Sequence, residues 1–100
     1  MPPMLKWSEL ADRQFLERWS QAPDSHDVSN AYTETGPSRA AINNDTENFA
    51  QWLAGEVMAG KGVLPGMYVT ELGFIIEITL RKNGEYLAVQ FIDPAFWSAN

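Results

Sequence analysis

The chain has 100 residues, with thirteen acids against seven bases for a net charge of −6, no cysteine, and a hydrophobic fraction of 45%. That length predicts one domain with a modest core. The missing cysteine excludes disulfides, thiolate metal sites and a Cys nucleophile, and the excess acid argues against direct nucleic-acid binding, which needs Lys and Arg to displace counterions.

Pro2-Pro3 reads as an extended lead-in, and Met1 to Lys6 carries no long apolar run, which predicts no secretory signal. Ser8 is placed to cap a first helix over about Glu9–Trp19, with Glu9 in its first turn. Trp7, Ala11, Phe15 and Trp19 are spaced four apart and predict its buried face, widened by Leu10 and Leu16. Ser20 to Pro37 is rich in Pro, Asp, Ser, Asn and Gly and predicts irregular backbone. So long a run without structure is uncommon in a small domain. Either Tyr32 ties down a short strand near Asn30–Glu34, or the loop is itself functional.

Ser38 to Ile42 predicts a short helix after Pro37, and a stronger helix follows, capped by Asn44 with Glu47 in capping-box position. Phe49, Trp52, Leu53, Glu56 and Val57 fall at i, i+3, i+4, i+7 and i+8, all apolar but Glu56. Gly60 and Gly62 end it. Ile42 lies seven residues before Phe49, so one continuous helix from Ser38 to Ala59 is the alternative.

Leu64-Pro65-Gly66-Met67 suits a type II turn, and Met67 to Leu72 predicts a strand. Gly73 then serves as a turn residue or bulge. Phe74–Leu80 and Glu85–Ile92 flank Arg81-Lys82-Asn83-Gly84, whose Asn-Gly predicts a two-residue type I′ hairpin. Such a turn pairs Lys82 with Glu85, Leu80 with Leu87, Ile78 with Val89 and Ile76 with Phe91 on one face. On the other it pairs Arg81 with Tyr86, Thr79 with Ala88 and Glu77 with Gln90. Asp93-Pro94 ends the last strand. The expected fold is α+β: a single domain over residues 1–100 in which a small antiparallel sheet, a three-stranded meander with a C-terminal hairpin, packs against two helices. No stretch approaches the roughly 20 apolar residues of a membrane span.

No constellation for catalysis stands out. His26, the one histidine, sits in Asp24-Ser25-His26-Asp27 and reads as a surface residue beside loop acids. There is no second histidine to make a zinc site, and Asn43 to Glu47 lacks the pattern of a calcium loop. Ala59-Gly60-Lys61-Gly62 follows a helix, whereas a phosphate loop opens one. The expectation is therefore a protein that is not an enzyme and uses no cofactor or metal.

Charge is unevenly spread. Residues 1–20 balance, residues 61–100 carry −1, and residues 21–60 carry −5, with six acids against Arg39 alone. That segment suits a partner with a basic surface, with fast, salt-sensitive association. Asp24, Asp27, Glu34, Asp45 and Glu47 are the candidate partner-binding residues.

Trp7-Ser8-Glu9-Leu10-Ala11-Asp12-Arg13-Gln14-Phe15 and Asp93-Pro94-Ala95-Phe96-Trp97, in a short acidic chain without cysteine, resemble the phage-encoded type I-F anti-CRISPR proteins. The likeness covers the whole chain and includes no shared motif, so it assigns no functional residue. It implies a non-enzymatic inhibitor in the host bacterial cytoplasm. Such an inhibitor binds the basic, nucleic-acid-handling surfaces of a CRISPR-Cas type I surveillance complex and blocks target DNA binding or unwinding. The competing expectation is a small structural or protein-interaction module, a monomer or a homodimer built on the hairpin edge.

Overall fold

The computed structural model describes residues 5–24, 32–33 and 36–95. In chain order these form β1 (Lys6–Trp7), α1 (Glu9–Ser20), β2 (Tyr32–Thr33), β3 (Gly36–Pro37), α2 (Arg39–Met58), β4 (Gly66–Val69), β5 (Ile75–Leu80) and β6 (Tyr86–Ile92). The main sheet has the order β1-β6-β5-β4, and β2 pairs with β3 in a separate ribbon. The class is α+β, and β4-β5-β6 is the expected antiparallel meander. The sheet is nevertheless mixed, because β1 joins β6 in parallel, Lys6 opposite Leu87 and Trp7 opposite Ala88. Two residues are too few to show a period of two, so β1 is specified by the edge it meets. Among the described residues no helix is long and apolar enough to cross a membrane.

Both hairpin loops are built alike. Arg81 N–H donates to Glu85 O and Gly84 N–H to Arg81 O; Thr70 N–H donates to Phe74 O and Gly73 N–H to Thr70 O. Each loop thus has three residues and ends on a glycine with positive φ, Gly84 at 88° and Gly73 at 91°. Asn83 has no positive φ, so the two-residue type I′ turn does not form. The longer loop shifts the expected register by one: Leu80 faces Tyr86, Thr79 faces Leu87 and Ile78 faces Ala88. A bulge then leaves Val89 unmatched and restores the expected pairs Glu77–Gln90 and Ile76–Phe91. The shift has a cause in packing. It turns Tyr86 inward, where its hydroxyl donates to Val63 O at 3.0 Å, and the bulge returns Phe91 to the core.

Ser8 caps α1, its Oγ accepting from Ala11 N–H at 3.0 Å. The same residue extends β1's pairing: Ser8 N–H donates to Ala88 O and its hydroxyl to Val89 O. Nearly two turns later, Gln14 Oε1 accepts from Phe91 N–H at 2.8 Å. Ala11 is fully buried, and Phe15 and Trp19 pack on the core as expected. Trp7 reaches the same cluster from β1 rather than from the helix, its ring 5.9 Å from Phe15 and 6.2 Å from Phe91. Leu10 and Leu16 do not widen the face; both are exposed, since the sheet lies on the Ala11–Phe15 side. Arg18 Nε bonds Asp93 Oδ2 at 2.6 Å, both side chains mostly buried, and fastens the end of α1 to the end of β6.

α2 is the continuous helix of the two alternatives. Ser38, not Asn44, is its cap, accepting from Ala41 N–H, so Asn44 and Glu47 lie in the helix interior. At its other end Gly60 N–H donates to Val57 O and Lys61 N–H to Glu56 O, with Gly60 at φ 79°. This is a Schellman ending, which needs the left-handed residue that glycine supplies. Ile42, Phe49 and Leu53 face the sheet and join Ile76, Ile78, Tyr86, Ala88 and Phe91 in the core. The opposite sheet face is apolar in part, with Met67 63% and Val69 69% exposed on β4.

Two substitutions test this account by urea denaturation. Ser8→Ala removes a cap and a β6 contact together and is expected to cost about 1–2 kcal/mol. Gly60→Ala meets no atom within 4 Å, so its cost is backbone strain alone, about 1 kcal/mol. An unchanged midpoint for either contradicts the role given to it.

Candidate functional site

Helical neighbours recur at three and four residues. Asp45, Asn48, Phe49 and Trp52 therefore share one stripe of α2. They face the segment from Tyr68 to Glu71, and a cleft of about 300 Å³ lies between. Strand alternation aims Tyr68 to the helix side while Met67 and Val69 flank it on the other. The Tyr68 hydroxyl is held by Leu64 O at 2.6 Å.

Three rings meet at this wall. Phe49 and Trp52 are 5.8 Å apart between centroids, Trp52 and Tyr68 5.7 Å, and Phe49 and Tyr68 6.2 Å. All three pairs are tilted, at 38°, 50° and 53°, so the rings do not stack face on face. Phe49 is core, whereas Trp52 is 43% exposed, unusually open for the residue type.

Asp45 supplies the charge. It is only 6% exposed. Its Oδ1 accepts from Leu72 N–H at 3.3 Å, which ties α2 to the loop between β4 and β5. Its Oδ2 is buried and has no hydrogen-bond partner among the described residues. A buried acceptor left unmade costs roughly 1–3 kcal/mol. Its neighbour Thr46 shows the contrast: also buried, it bonds back to Ile42 O and Asn43 O. Glu71, exposed on the loop, adds a second acid, and the lining has no Lys, Arg or His. The site can therefore favour a cation and has no positively charged side chain to hold an anion.

The candidate acids chosen from sequence are not brought together as a described patch. Asp24 is exposed just after α1, Glu47 is exposed on α2 beside Gln51, and Asp45 is buried in the wall of the cleft. Asp27, Glu34 and His26 lie outside the described residues. Exposed acids are not confined to the middle of the chain, since Glu9, Asp12 and Glu17 are exposed on α1. Arg39, the one base of that middle, is engaged: its guanidinium donates to Trp19 O and Ser20 O and lies 4.6 Å from the Trp19 ring centroid. Among the described residues no three His, Asp or Glu side chains are grouped to hold a metal.

The sequence pattern marks Trp52 only as part of the apolar stripe of α2 and gives no sign that Tyr68 or Glu71 belongs to a site. A signal for Asp45 existed: once α2 is continuous, it falls three after Ile42 and four before Phe49, an acid on the apolar stripe. Tyr68 and Glu71 come from a different element, and only the β4–β5 pairing places them.

No family model matches this chain, and no curated protein and no solved structure matches it.

Asp45→Asn keeps an acceptor for Leu72 and removes a charge that the fold does not pair. It is expected to be at least as stable as the parent in thermal melts, while Asp45→Ala loses about 1–2 kcal/mol. A clearly destabilised Asp45→Asn contradicts the unpaired state of Oδ2.

Proposed function

We propose that this protein is a non-enzymatic inhibitor that docks on a basic surface of a CRISPR-Cas type I surveillance complex and blocks target DNA binding or unwinding. The observation that carries it is an anionic cleft with aromatic walls and no base in its lining, on a chain of net charge −6. Surfaces that grip DNA present lysines and arginines, and carboxylates held on rigid elements can take the place of phosphates there. The resemblance to type I-F anti-CRISPR proteins supplies the identity of the partner. Asp24 and Glu47, both exposed, act as steering charges, and Asp45 as a docking one.

Target DNA binding by a purified surveillance complex, with and without the protein, tests the reading. The parent is expected to suppress binding at near-stoichiometric concentration. Combined Asp24→Asn and Glu47→Gln is expected to slow association several-fold at low salt and to change dissociation little, as peripheral charges do. DNA binding that is indifferent to the protein overturns the proposal.

A second reading has its own observation. β4 is an edge strand of four residues whose Met67 and Val69 are exposed, beside Leu64 at 78% exposure. That edge supports a homodimer joined strand to strand. Light scattering after gel filtration separates the two: a dimer that persists on dilution favours the module, a monomer the inhibitor.

A further inference from the structure

We propose that the cleft between α2 and β4 is a receptor for a single cationic side chain, the ammonium of a lysine or the guanidinium of an arginine, projecting from a protein partner. The inference deepens the function above and rests on it only for which protein the partner is.

Four observations converge. The first is the rings. A cation within about 6 Å of an aromatic centroid is attracted by the ring's negative face. The Phe49, Trp52 and Tyr68 rings touch one another, with centroids 5.7 to 6.2 Å apart, so they form one continuous aromatic wall on which half-exposed Trp52 is the ring open to a cation. The second is Asp45. Its Oδ2 is buried without a partner in the cleft wall, while Oδ1 is already used by Leu72. A positive group seated in the cleft offsets that carboxylate's uncompensated charge through space, which neither an apolar side chain nor an anion can do. The third is the rim. Glu71 is exposed there and no basic residue competes for either acid. The fourth is size. At about 300 Å³ the cleft lies at the lower end of ligand sites, which run from roughly 300 to 1,000 Å³. It holds one side chain and not a folded segment. A bare metal ion fits poorly, because only two carboxyl groups are present and rings fill the remaining wall.

The rigid parts are those that matter. Phe49 is anchored in the core, Tyr68 by its hydroxyl, and Asp45 by the Leu72 amide. Trp52 is the open wall, across which a partner's side chain enters.

Capped Gly-Lys-Gly and Gly-Arg-Gly peptides, with Gly-norleucine-Gly as the uncharged match to lysine, are titrated into the full chain. The response is read from the Trp52 indole N–H and from the Glu71 and Leu72 amides by NMR. Both charged peptides are expected to shift these signals saturably, and norleucine is not. Trp52→Leu is expected to weaken binding about fivefold. Asp45→Asn is expected to weaken it about tenfold with the rest of the spectrum unchanged. Glu71→Gln, on an exposed loop and safe for folding, is expected to weaken it about twofold.

Equal binding of norleucine, or undiminished binding by Asp45→Asn and Trp52→Leu, overturns the inference. Choline serves as the free-cation arm: binding more than about tenfold tighter than either peptide reassigns the cleft to a small quaternary ammonium and overturns the partner side chain. A protein that takes the peptides but leaves the surveillance complex unaffected sinks the proposed function and leaves this site standing. Inhibition without peptide binding does the reverse.

Discussion

The main chain of β6 must be satisfied on both of its edges, and the remaining architecture follows from how that is done. β5 covers one edge. On the other, β1 supplies only Lys6 and Trp7, so β6 would run on with bare polar groups under a helix, where water cannot serve them. Ser8 and Gln14 finish the job from outside the sheet, bonding Val89 O and Phe91 N–H. Because Ser8 is also the cap of α1, the helix starts where the strand's pairing ends. Its register against the sheet is thereby set, and Ala11 and Phe15 fall over Phe91, with the Phe15 and Phe91 rings 5.4 Å apart. Arg18 and Asp93 close the same seam at its far end.

The two edges of the sheet are consequently unlike. The β6 side is sealed by a strand, a cap and a glutamine. The β4 side carries one short strand with exposed Met67 and Val69, and next to it the cleft under α2. Features suited to meeting another molecule gather on that second side. The buried, half-bonded Asp45 belongs to it as well, and it is a stability cost that packing alone does not explain.

Long, strongly patterned elements were legible in the sequence. The apolar spacing from Phe49 to Val57 and the runs either side of Asn83-Gly84 gave α2 and the hairpin, and Ser8 announced α1. Short-range backbone chemistry was harder. Asn-Gly is equally at home in two-residue and three-residue loops, and what decides is whether Tyr86 or Leu87 faces inward. Tyr86 wins because Val63 O offers its hydroxyl a partner 23 residues away, which no local pattern reveals. β1 was invisible for a similar reason, since its pairing is entirely with residues at the other end of the chain. Of the site, the sequence marks Asp45, by its charge rather than its position. The aromatic wall needs β4 brought against α2, a long-range event.

The twin loops of the meander share a backbone path and differ in attachment. Glu71–Gly73 is moored to α2 through Leu72 and Asp45, whereas in Lys82–Gly84 the Asn83 side chain bonds only its near neighbour Glu85. They sit at opposite ends of β5, whose six residues span roughly 20 Å at about 3.3 Å each. The unmoored tip is accordingly the natural attachment point for a dye, a spin label or a short inserted tag. A reporter there would leave the cleft undisturbed and still lie within energy-transfer range of whatever enters it.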